Sequence, residues 1–95
     1  MLEKELLELE EKIKKAQEEN KPIQKYILRQ IEILKLCFEE FKTLSGLADN
    51  DITLCEIEIR QYAAMRELAK KAKLPIQEYE DSIERIQIRI FGEKI

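Results

Sequence analysis

Apolar residues at Leu2, Leu6, Leu9, Ile13 and Ala16 step by four and three, the spacing that draws one stripe along an α-helix. The stepping continues through Asn20, Ile23, Ile27, Gln30, Leu34, Cys37, Phe41 and Leu44, crossing Pro22 in phase. Residues 2–45 therefore read in one of two ways. Either one long helix is kinked at Pro22, or the chain breaks at Asn20–Lys21 and Pro22 enters the first turn of a second helix. A proline in a helix interior removes a hydrogen bond and clashes with the preceding turn at about 3 kcal/mol, whereas in a first turn it is nearly free. That favours the break, while the unbroken phase keeps the kink open.

The clearest punctuation is "LSGLADNDIT" at 44–53, where Gly46 suits a left-handed helix end and Asp49, Asn50, Asp51 and Thr53 offer caps for the next helix. "KLPIQ" ends that helix, because Leu74 precedes Pro75 and is disfavoured as helical. The last stripe runs through Ile76, Tyr79, Ile83, Ile86 and Ile90 to Gly92. The expected elements are helices at about 2–19, 22–45, 53–73 and 75–91, in one domain over 1–95. "ITLCEIEIR", "IEILKL" and "IQIRIF" also alternate as strands do, but hairpin turn signals between them are missing. The expected class is all-α: three or four amphipathic helices as helical hairpins or a small bundle with coiled-coil character. "PIQKY" at 22–26 returns as "PIQEY" at 75–79, each after a "KKA", so the chain reads either as two duplicated helix–Pro–helix units or as one favoured helix start used twice.

Composition narrows the chemistry more than it names it. The 95 residues are 39% charged and 44% hydrophobic with a net charge of −3, a helix-forming profile with no strongly basic segment. No apolar run approaches the roughly 18 residues of a membrane span, and a cytoplasmic protein is expected. With no His there is no Ser-His-Asp or Cys-His arrangement and no di-iron helix pair. Cys37 and Cys55 are too few for a four-ligand zinc site and read as reduced core thiols. Neither Gly46 nor Gly92 lies in a phosphate loop. No catalytic residue, metal or cofactor is expected, and the chain is read as non-enzymatic. Glu58 and Gln61 on the third helix and Gln30 on the second interrupt apolar faces, where such groups serve to fix register or to meet a partner subunit.

Residues 66–86, "RELAKKAKLPIQEYEDSIERI", resemble a helix-turn-helix through the run Leu68, Ala69, Ala72, Leu74 and Tyr79. The resemblance implies nucleic-acid binding, with Lys70, Lys71 and Lys73 on the backbone. It departs from the motif at Lys73, where glycine is common, and at Glu78, Glu80, Asp81 and Glu84, acids that would meet phosphates.

The stronger expectation is association by surface. At 100° per residue the apolar side chains of 22–45 cover an arc of about 160°, wider than the roughly 100° of one contact, with Leu28 and Leu36 beyond it. The helix over 53–73 is similarly broad through Ile59 and Ala63. The candidate face comprises Ile33, Leu36, Cys37, Ile57, Glu58, Ile59 and Ala63, with Ile33 and Ile59 toward the margins. This predicts a self-associating protein, a homo-oligomer with a dimer the leading form, working as an adaptor, a chaperone-like protein or an inhibitory partner of another protein. Nucleic acid is the alternative partner.

Overall fold

The computed structural model describes residues 2–92, which form α1 (Leu2–Glu18), α2 (Gln24–Ser45), α3 (Ile52–Lys71) and α4 (Gln77–Phe91), with no strand among the described residues. The chain is all-α, a small bundle-like arrangement of successive hairpins. The strand-like alternation at 52–60 and 86–91 lies inside helices, because the longer three-four period buries more apolar surface than a two-residue period without turns.

Pro22 separates two helices and does not kink one, but it stands two residues ahead of Gln24 and not in the first turn of α2. Its position follows from the turn before it. Asn20 adopts φ 57°, and the Lys21 N–H donates to the Ala16 carbonyl at 2.7 Å, the six-to-one bond of a left-handed helix end. The reversal is then complete, and a residue without an N–H costs nothing in the extended step that follows. Ile23 caps α2 with φ −114°, its carbonyl accepting from the Tyr26 and Ile27 N–H groups at 3.1 and 3.0 Å.

The second "PIQ" turn repeats this geometry. Lys73 has φ 59°, the Leu74 N–H donates to the Ala69 carbonyl at 2.8 Å, and Ile76 caps α4 with φ −115°. Its carbonyl accepts from the Tyr79 and Glu80 N–H groups, both at 3.1 Å. Ala16 and Ala69 are both buried beneath their turns. The Gln24 side chain donates to the Ala72 carbonyl at 3.2 Å and so holds the two turns side by side at one end of the molecule.

The third reversal, at the opposite end, uses different chemistry. Gly46 closes α2 at φ 67°, and the Asp51 carboxylate accepts from the N–H groups of Thr53 and Leu54 at 2.9 and 3.2 Å. The Asp49 side chain pairs with Lys42 at 2.9 Å, and its carbonyl accepts from the Cys55 thiol at 3.3 Å and from Arg89 at 3.5 Å.

Each helix packs on its neighbours in the chain: α1 on α2, α2 on α3, α3 on α4. One buried cluster joins all four through Ile13, Ile27, Ile31, Met65, Ala69, Ala72 and Tyr79. The Cα trace spans 47 × 29 × 13 Å with a radius of gyration of 15.1 Å, against about 12.4 Å for a compact domain of this length. The molecule is a thin zigzag of helices. α2 carries an apolar arc of about 160° in part because it has α1 on one side and α3 on the other.

The left-handed turns generate a stability prediction. A side chain in that conformation costs about 1–2 kcal/mol, which glycine avoids while losing more freedom on folding. Lys73→Gly should therefore stabilise the protein by about 0.5–1 kcal/mol in urea unfolding, and Asn20→Gly by less, since asparagine tolerates the conformation. Destabilisation by both would show that these turns are built differently.

Candidate interaction surface

The surface of α2 divides into three strips. Ile33 is fully buried, with Tyr26 and Arg29 on the same side of the helix, where the Arg29 guanidinium forks onto Glu5 of α1 at 2.5 and 2.9 Å. Arg29 also donates to Glu32 at 2.8 Å. Ile31 and Phe38 are buried on the other side, that of α3, where the lower end of α2 is tied to the connection by Lys42 and Asp49. Between these strips, Leu34 and Cys37 are half-buried, Phe41 is 41% exposed and Leu44 is 79% exposed. The start of this middle strip is covered, with Ile27 and Gln30 buried and Leu34 packed against the central cluster, and the strip opens only toward Phe41 and Leu44 at the connection end.

The expectation that Ile33 lies at a free margin is corrected by its complete burial. The arc that looked too wide for a monomer is partly used within it, and the Arg29–Glu5 fork holds α1 on the Ile33 side. Leu36 is 46% exposed, but it stands on the polar side of α2 with Leu28, away from Cys37. On α3, Ile57, Glu58, Ile59 and Ala63 are all half-buried. The open apolar surface thus gathers Phe41 on α2, beside the half-buried Cys37, with Leu44 and Ile52, the latter 58% exposed, on either side of the connection. Phe41 and Leu44 belong to the same stepping as the core residues of α2, so periodicity alone did not separate them from it. Ile52 fell one residue outside the expected helix.

The polar interruptions come together elsewhere. Glu58 and Gln61 line a cleft of about 530 Å³ with Lys35, Phe38, Glu39, Lys42, Tyr62, Met65 and Glu78, between α2 and α4 over α3. The Gln61 Oε1 atom is buried without a hydrogen-bond partner, as is that of Gln30, which is 6% exposed. Among the described residues no three of His, Cys, Asp and Glu gather to hold a metal ion. Cys37 and Cys55 are both free thiols, Cys55 buried and Cys37 half-buried.

Lys70, Lys71 and Lys73 are exposed at the turn end, with Lys70 3.6 Å from Glu67. Lys73 takes the left-handed φ for which a helix-turn-helix commonly uses glycine. The helix before it is 20 residues long, and Glu78 and Glu80 occupy the first turn of the helix after it. No described helix is long and apolar enough to cross a membrane. No family model, no curated protein and no solved structure matches the chain.

Two ion pairs set a pH dependence. Hydrogen bonds from Arg29 hold the Glu5 carboxyl below its ordinary value of 4.5, and the bond from Lys42 lowers Asp49 in the same way. A depressed carboxyl contributes stability that is present above its unfolded value and lost as pH falls through its folded one. Lys42 is raised, chiefly by Asp49, so its contribution is lost only as pH rises past its folded value. The unfolding midpoint should therefore be level near neutrality and fall in acid below about pH 4. Glu5→Gln should lower the neutral midpoint slightly and leave the midpoint in strong acid unchanged. A mutant deficit that persists at low pH would mean that the Glu5 charge is not the cause.

Proposed function

We propose that this chain is a non-enzymatic protein–protein interaction module that associates with itself. One observation carries the reading: the chain exposes 6846 Å², against about 5,700 Å² for a compact monomer of 11.3 kDa, an excess of roughly 1,100 Å². The excess includes an apolar patch of Phe41, Leu44 and Ile52 around the connection, with the half-buried Cys37 at its edge. Surfaces of that kind in water are commonly covered by another protein. The reading leaves the cleft at Glu58 and Gln61 as a polar recess beside the face.

The test is the mass in solution. Light scattering at tens of micromolar should give an oligomer, with a dimer the expected form. Phe41→Asp and Leu44→Asp should shift it to monomer while the far-ultraviolet helical signal is kept, because both side chains are exposed and an unpaired charge in a closed apolar interface costs several kcal/mol, about 3 or more. Ile33→Asp should instead lose helix, since Ile33 is fully buried. A wild type that stays monomeric even with crosslinker overturns self-association.

A further inference from the structure

We draw no further inference here: the strongest candidate, the apolar patch of Phe41, Leu44 and Ile52 around the connection between α2 and α3, is open to solvent and nothing in the structure shows what covers it.

Discussion

Everything in this fold depends on where the left-handed residue falls after α1 and α3. Asn20 and Lys73 turn the chain, and the six-to-one bonds to Ala16 and Ala69 fix how far. A methyl is the largest side chain present under each bond, and both alanines are buried. The following isoleucine then enters at the same angle in both copies and packs against the common cluster. Because Gln24 joins one turn to the carbonyl of the other, the two hairpins share an end, and the third reversal must lie opposite. From that follow the long axis and the position of the open apolar patch at the connection.

The helices themselves were legible, and for a plain reason. Four amphipathic stripes with caps leave little freedom, and Gly46, Asp51 and Gly92 do in the structure what their residue types suggest. What periodicity could not give is which side of a wide helix meets which neighbour. Ile33 lies at the edge of the arc of α2, and an edge reads as free until the position of α1 is known. That position is set by the turn at Asn20 and by Ile13 entering the common cluster, with the Arg29–Glu5 pair beside it, and no local pattern of α2 announces any of these. The same limit hid Phe41 and Leu44, which follow the rhythm of the core but lie beyond the strips that α1 and α3 cover. Both helices after the prolines were expected two residues early, because each turn takes two more residues after its left-handed pivot; Asn20 hints at that pivot, whereas Lys73 is an ordinary helix former.

The two "PIQ" segments share a turn and little beyond it. Fifty-three residues separate equivalent positions, so Ile27, Ile31 and Leu34 of α2 correspond to Glu80, Glu84 and Gln87 of α4. Ile27 and Ile31 belong to the central cluster, whereas α4 has only α3 to meet and narrows its apolar stripe accordingly. An old duplication followed by divergence and a favoured turn used twice both fit this pattern. In either case the wide face belongs to the helix with two neighbours.

That asymmetry also bears on how the protein can assemble. In stacked helical arrays, growth continues wherever a terminal helix repeats the apolar face of an inner one. Here α1 buries a single stripe of Leu9, Ile13 and Ala16 and turns Glu8, Glu11, Lys12 and Lys15 to solvent. α4 likewise buries Tyr79, Ser82 and Ile86 and exposes Glu78, Glu80, Asp81 and Arg85. Charge therefore dominates both outer flanks, though neither is free of apolar side chains. Open apolar side chains stand around the connection at Phe41, Leu44 and Ile52, and singly on the outer helices at Leu7 of α1 and at Ile88 and Phe91 of α4. If self-association uses the patch at the connection, covering it once would close the assembly as a finite symmetric pair and not a filament. The wide inner helix and the narrow outer ones thus follow from one rule, that each helix is apolar over as much of its surface as its neighbours cover.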